Sequence, residues 1–313
     1  MKTVLILGGF GFIGSNLIEE LLSRGSYNVV VFEFKGVVNR FSDRVTVCYG
    51  DYNNTEDLEC IFRNYSIDTV FHLISTTVPI TSNDNLEYDI DSNLIGSIRL
   101  FKLMIKHHVK RLVFLSSGGT VYGKASSDKV DENHPTDPIS AHGIIKLSIE
   151  KYIQLHHHLH DLNYLILRVS NPFGPDHISD KQGIVNVAIR RAFNHEPLVI
   201  WGDGSVVRDY IYVKDVAHIM AKVIEKDIWN KVINVGTGIG YSINDILQLI
   251  SELPLDLTVE YSQALKYDVP YIVLNNNKLK SFIDYKPTEI RKAIRCTYEW
   301  LKKEKFIPCQ QTT

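Results

Sequence analysis

Gly8-Gly9-Phe10-Gly11-Phe12-Ile13-Gly14 follows the apolar run Thr3–Leu7 and precedes a stretch of helical spacing, Ser15–Ser23. Gly8, Gly11 and Gly14 therefore punctuate a strand-to-helix turn with the spacing GxxGxxG. In such a turn one glycine makes the tight bend, one lets the backbone approach a pyrophosphate, and one permits close helix–strand packing. The next helix offers free N–H groups and the positive end of its dipole to the phosphates, so Gly8, Gly11, Phe12, Ile13 and Gly14 form a candidate cradle. Three glycines alone are a weak signal. Their place between a strand and a helix makes the first part of the chain a dinucleotide-binding βαβ unit.

Glu33 ends the next strand run, near the offset of about 20 residues at which a carboxylate meets the ribose of a bound dinucleotide. It would accept both ribose hydroxyls and repel a 2′-phosphate, which favours NAD. Lys35 and Arg40 lie nearby and offer such a phosphate a partner, so NADP stands as the lesser expectation. Asp51, after the third strand run, has two readings: a contact to the adenine edge, or a loop aspartate capping the helix at Asn54.

Further outward, Val29–Phe32, Val45–Cys48, Thr69–Leu73, Arg111–Ser116 and Tyr164–Val169 read as strands apolar on both faces, as in a parallel sheet covered on each side. Asn54–Asn64, Ile90–His108 and Ser140–Leu159 have helical spacing, and Gly25 is placed to cap the first helix. This alternation predicts an α/β fold with a doubly wound parallel sheet over residues 1–170. After Asn171-Pro172-Phe173-Gly174-Pro175 the pattern loosens. Leu198–Trp201, Asp209–Val213 and Lys231–Val235 read as strands, and Val216–Glu225, Ile243–Leu253 and Glu289–Lys305 as helices. A smaller carboxyl-terminal α/β lobe is expected over 171–313, with strands from about 209–236 returning to the main sheet.

The 313 residues carry a formal net charge of −2, which gives no pull toward nucleic acid or anionic membrane. Cys48, Cys60, Cys296 and Cys309 lack CxxC spacing and read as thiols of a reducing compartment. No signal peptide and no apolar stretch of about 20 residues is visible, so a cytoplasmic setting is expected. His156, His157, His158 and His160 form a run, but consecutive histidines at a helix end point in different directions, so no metal is expected.

Beyond the glycines, the chain resembles the extended short-chain dehydrogenase/reductase superfamily in its nucleotide-sugar 4-epimerase and dehydratase branch. The markers are Asn93 and Gly96, SSGGTVYG at 116–123, Lys146, RVSNPFGP at 168–175, WGDGSVVRDYIYVKDV at 201–216 and NVGTG at 234–238. The resemblance implies NAD in the larger domain, a UDP- or dTDP-sugar in the smaller lobe, and a homodimer through Ile90–His108 and Ser140–Leu159. It also implies site roles. Lys146 would hold the nicotinamide ribose and lower the pKa of a neighbouring acid/base. Asn171 and Arg208 would bind the diphosphate, and Asn93 would support the active-site backbone. Tyr52, Leu73 and Ser116 join the cofactor contacts. Tyr122 lies beside the nicotinamide in the family, or is a packed core aromatic. Without the family, Arg208-Asp209 would read as a solvated surface pair.

The sequence also departs from the family. In the Tyr-x-x-x-Lys motif the tyrosine position holds His142, while Gly143, Lys146 and Leu147 match the family's usual residues just beyond it. His142 is a working acid/base, a loss, or a buried histidine. Gly118 stands where the family has a serine or threonine, with Ser117 and Thr120 flanking it, and Thr120 is the candidate replacement hydroxyl. Near Asp268, where the family often has an arginine clamp, stands Leu265 with Lys266 beside it. Lys266 offers the diphosphate a point charge rather than a fork. The expected activity is NAD-dependent nucleotide-sugar 4-epimerisation. The alternatives are an NAD(P)H-dependent 4-ketoreductase of a 4-keto-6-deoxy nucleotide sugar, and an impaired binding protein. A dehydratase is disfavoured because Gly119-Thr120 replaces its Asp-Glu pair.

Overall fold

The computed structural model describes residues 1–77, 82–125, 129–180, 182–263 and 269–305. In chain order the elements are β1 (Lys2–Leu7), α1 (Phe12–Arg24), β2 (Tyr27–Glu33), β3 (Thr46–Tyr49), α2 (Thr55–Asn64), β4 (Thr69–His72), α3 (Leu86–Asp89), α4 (Gly96–Lys106), β5 (Arg111–Ser117), α5 (Ala141–His160) and β6 (Asn163–Val169). The remaining elements are β7 (Asn171–Phe173), α6 (Ile184–Phe193), β8 (Leu198–Trp201), β9 (Val207–Tyr212), α7 (Val213–Glu225), β10 (Lys231–Val235), β11 (Gly240–Ser242), α8 (Ile243–Ser251), β12 (Val259–Ser262), β13 (Tyr271–Ile272), α9 (Asn277–Phe282) and α10 (Ile290–Lys305).

Seven parallel strands form the main sheet in the order β10-β6-β5-β4-β1-β2-β3. The order reverses between β1 and β4, which opens a crevice at their carboxyl ends. Both faces are covered, and the period-two alternation of each strand divides its residues between two cores. Val4 and Ile6 of β1 join α1 and α7 on one side, and Leu5 and Leu7 join α2, α4 and α5 on the other. A third core fills the lobe between α6, α8 and α10.

The structure differs from the sequence expectation in two places that matter. Ile90–His108 is not one helix: a π-helical turn over Ile90–Ile95 separates α3 from α4. Side chains cause the break by competing for backbone carbonyls. The Ser92 hydroxyl donates to Tyr88 O, the Asn93 amide to Asp89 O and the Ser97 hydroxyl to Asn93 O. The second difference concerns the strands expected to return to the main sheet. Lys231–Val235 does so beside β6, but β9 pairs with β7, β11 and β13 in a separate sheet. The α7 crossover lies between β9 and β10 and delivers only the second to the sheet edge.

Candidate active site

The glycine turn spans the carboxyl end of β1 and the start of α1. Gly8 adopts φ 77°, a left-handed conformation that disfavours a side chain. A Cβ on Gly14 would lie 2.4 Å from Gly8 O and 2.6 Å from Gly9 O, so only glycine lets α1 sit this close to the turn. Gly11 is exposed and opens α1 without a side-chain cap. The first-turn N–H groups of Phe12, Ile13 and Gly14 have no acceptor inside the helix. The Glu33 carboxylate accepts Phe10 N–H and Phe34 N–H, each at 3.1 Å, which fixes it beside the turn. Unpaired donors, an exposed glycine and a fixed carboxylate suit the pyrophosphate and ribose of NAD.

Other expected cofactor residues divide by burial. Tyr52 is sealed in the core at 1% exposure, its hydroxyl 3.1 Å from His72 Nε2 and its ring beneath Gly96. Asp51 accepts the N–H of Asn53, while Asn54 itself caps α2 by accepting from Glu56 N–H. Leu73 donates its N–H to Leu7 O and packs against the core. Of the two cations near Glu33, Arg40 is paired with Asp176 and lies over the Phe41 ring rather than standing open to a phosphate.

The second cluster gathers where α5 begins. Ser140 caps this helix by accepting Gly143 N–H, and Asn83 and Ser82 accept the N–H groups of Ala141 and His142. A Cβ on Gly143 would lie 2.6 Å from Thr120 O, so glycine brings His142 against the turn that carries Thr120. The Thr120 hydroxyl is buried without a hydrogen-bond partner and stays available. Gly118 has no such room, because a Cβ there would lie 2.5 Å from Leu274 and 3.0 Å from Arg168 O. Ser117 folds the turn by accepting Thr120 and Val121 N–H on its carbonyl.

Lys146, one helical turn after His142, is 8% exposed and donates to Leu115 O at 3.1 Å. Burial pushes its pKa down to about 8, against the opposing pull of Asp89 and Glu150. The His142 pKa falls to about 3, first through burial and then through the positive charge of Lys146. An adjacent cation that would stabilise an anionic base thus penalises protonated imidazole. His142 is neutral throughout the physiological range.

Behind these groups runs a buried network. Glu150 receives Arg168 on both oxygens, and Ser116 donates to it at 2.5 Å. Arg168 also reaches the Tyr122 hydroxyl, which donates to Asn234. Tyr122 is a core aromatic at 1% exposure, with burial raising its pKa to about 12. Asn93 accepts Thr76 N–H and donates to Asp89 and to the Thr76 hydroxyl, bracing the loop after β4.

From the lobe, Asn171 donates to Asp209 O beside the turn at Gly119. Arg208 is half-buried and donates to Val207 O. Asp209 is no surface partner of Arg208: it is 1% exposed and accepts from Thr237, Gly238 and Leu274 N–H groups. Lys266 and Asp268, with Leu265, lie outside the described residues, as does Cys309. His156 packs on Phe101 and His157 on Tyr164, so the two rings are drawn to different neighbours. Sequence reasoning missed Asp89, Leu274 and the Glu150–Arg168 pair. Glu150 had a signal, since it lies four residues beyond Lys146; Leu274 had none.

A model of the NAD dependent epimerase/dehydratase family matches residues 4–236. A putative UDP-glucose 4-epimerase of Methanocaldococcus jannaschii is 31% identical over 304 residues, spanning 96% of this chain and 98% of that protein. A dTDP-4-dehydro-6-deoxyglucose reductase of Escherichia coli is 26% identical over 310 residues, spanning 94% and 98%. The solved UDP-glucose 4-epimerase of Thermotoga maritima with UDP-glucose has a TM-score of 0.90 at 30% identity, covering 96% of this chain and 99% of that one. The chain therefore belongs to the NAD dependent epimerase/dehydratase family, as an NAD-using enzyme of the extended short-chain dehydrogenase/reductase type.

Proposed function

We propose that this protein is a nucleotide-sugar 4-epimerase whose proton transfer is weakened at His142. What supports the reading is that Gly143, next to His142, packs on the turn of Thr120, whose hydroxyl has no partner, while Lys146 one helical turn on donates to Leu115 O in β5. NAD, when bound, supplies a reversible acceptor for the hydride of sugar C4. Lys146 holds the nicotinamide ribose with its ammonium and sets a positive field at the reacting oxygen. Thr120 takes the hydrogen-bonding place that Gly118 leaves vacant. His142 accepts a hydrogen bond from the C4 hydroxyl on a neutral ring nitrogen, but full transfer to it is uphill at neutral pH. Asn171 and Arg208 grip the diphosphate of a UDP- or dTDP-sugar; Lys266 and Asp268 are assigned to the same ligand on the sequence alone.

In this reading residues 1–170 with the returning strand form the cofactor domain, and most of 171–313 forms the sugar lobe. A homodimer is part of the proposal, supported by the exposed apolar side chains Tyr88 and Ile90 near α3 and Ile144, Tyr152, Leu155 and Leu159 on α5. The setting we assign is the cytoplasm; among the described residues no helix is long and apolar enough to cross a membrane.

The reductase relative favours a second reading, a 4-ketoreductase that runs half of the cycle. Incubation with UDP-glucose or UDP-galactose at substoichiometric NAD separates the two. Interconversion of the sugars supports the epimerase. Stoichiometric NAD(P)H oxidation with a dTDP-4-keto-6-deoxy sugar and no interconversion supports the reductase. Tight nucleotide-sugar binding with no product at high enzyme concentration supports an impaired binding protein.

A further inference from the structure

Lys146 is a buried cation whose one hydrogen bond among the described residues goes to a neutral carbonyl. A charge in such a place needs compensation nearby. Two carboxylates act on it, Glu150 one turn further along α5 and Asp89 at the end of α3, which packs on α5. Glu150 is already committed, with Arg168 on both its oxygens and Ser116 on one. Asp89 is different. It is 1% exposed, its Oδ1 accepts from Thr77 at 2.6 Å and Asn93 at 2.7 Å, and its Oδ2 is buried with no partner at all. Both donors are neutral, so the carboxylate charge is not cancelled where it sits.

We infer that Asp89 is the counter-charge of Lys146, a positioning residue that keeps the ammonium protonated and able to donate to a bound cofactor at neutral pH. The other titratable groups buried around this part of α5 do not serve. His142 on α5 and His72 on β4 are neutral, each pushed down to about 3 by burial and then by Lys146. Arg168 on β6 is bound to Glu150, and the buried phenols of Tyr52 and Tyr122 are held protonated. Of the two carboxylates, Asp89 has the larger effect in raising the Lys146 pKa against its burial. The π-helical turn that begins after Asp89 explains its position: Asn93, inside the turn, reaches back to both the carboxylate and the main-chain oxygen of residue 89. The inference rests on Lys146 serving the cofactor as proposed above.

The test is NAD affinity by calorimetry between about pH 6 and pH 10, spanning the lysine titration. Asp89→Asn keeps an oxygen for both accepted hydrogen bonds and removes only the charge. The alkaline loss of affinity should move to lower pH by about one unit, the usual size for a close opposite charge, with affinity near the acid end unchanged. Thr77→Val removes one clamping bond but keeps the charge, and should leave the limb in place. Lys146→Arg should abolish the limb, because guanidinium does not titrate in this range. An unmoved limb in Asp89→Asn, an equal shift in Thr77→Val, or a limb that persists in Lys146→Arg would each overturn the inference; if Asp89→Asn fails to fold, Asp89→Ser, which also removes the charge, is read in its place, and an unmoved limb there overturns the inference. A parent that binds NAD with these shifts but converts no sugar refutes the epimerase reading alone. A parent that epimerises while the limb stays fixed in Asp89→Asn refutes this inference alone.

Discussion

The glycine turn stands at the end of β1 and the start of α5 packs on the turn after β5, yet one is built from backbone and the other from side chains. At the turn, Gly8 supplies a left-handed bend, Gly14 a close approach and α1 its free N–H groups. Each of these arises from residues within a few positions of one another. At α5 the chemistry depends on distant partners: Leu274 fills the space beside Gly118, Glu150 and Arg168 brace β5 and β6, and Asp89 reaches in from α3. The cradle is therefore robust in sequence and tolerant of its surroundings. The start of α5 is set by its surroundings, and there the positive charge of Lys146 acts with burial against protonation of His142.

Gly14→Val should strike hardest at this contrast. Its side chain would meet two backbone oxygens that cannot yield, for a loss on the order of 5 kcal/mol in denaturant unfolding together with NAD retention. A stable Gly14→Val protein that still retains NAD would break the account of the cradle. Glu150→Gln comes next, since it strands the buried Arg168 charge. About 3 kcal/mol of stability should be lost, read as a lower unfolding midpoint, while the glycine turn keeps its NAD. Equal loss of NAD would mean that the two regions are one unit.

His142→Tyr sharpens the comparison on the catalytic side. Lys146 beside it disfavours imidazolium but favours a phenolate, so epimerisation should rise by about tenfold or more. In the parent, the rate profile should lack an acid limb near neutrality, because His142 stays neutral down to about 3. A parental limb near pH 6.5, the ordinary value for histidine, or a fall in rate on substitution would make His142 the working base. The smallest effect is expected of Arg40→Ala. Its ion pair with Asp176 joins the loop after β2 to the chain after β7, and Arg40 is partly solvated, its side chain 43% exposed. A change below about 1 kcal/mol in thermal unfolding is expected, and a larger one would show the cradle to depend on the lobe.

Much of the main sheet was readable because both-face-apolar strands and helical spacing are local signals. Strand runs, the Asn54 and Ser140 helix starts and the Gly25 cap all appear within a few residues of expectation. The break at Ile90–Ile95 was not readable, because apolar periodicity cannot reveal serine and asparagine side chains that capture carbonyls of their own helix. Nor was the fate of β9, whose neighbours in space come from three separate stretches of chain.

By itself the sequence determined that a glycine-spaced strand-to-helix turn opens the chain, that Glu33 ends the next strand, and that a histidine stands four residues before Lys146. Only the tertiary structure decided what those residues can do. Backbone geometry is set by neighbours along the chain, so glycine spacing is enough to specify a cradle. Free space and pKa are set by neighbours in space. Tertiary packing thus leaves His142 neutral, Gly118 closed by Leu274, Tyr52 sealed in the core and Asp89 with an open oxygen near Lys146.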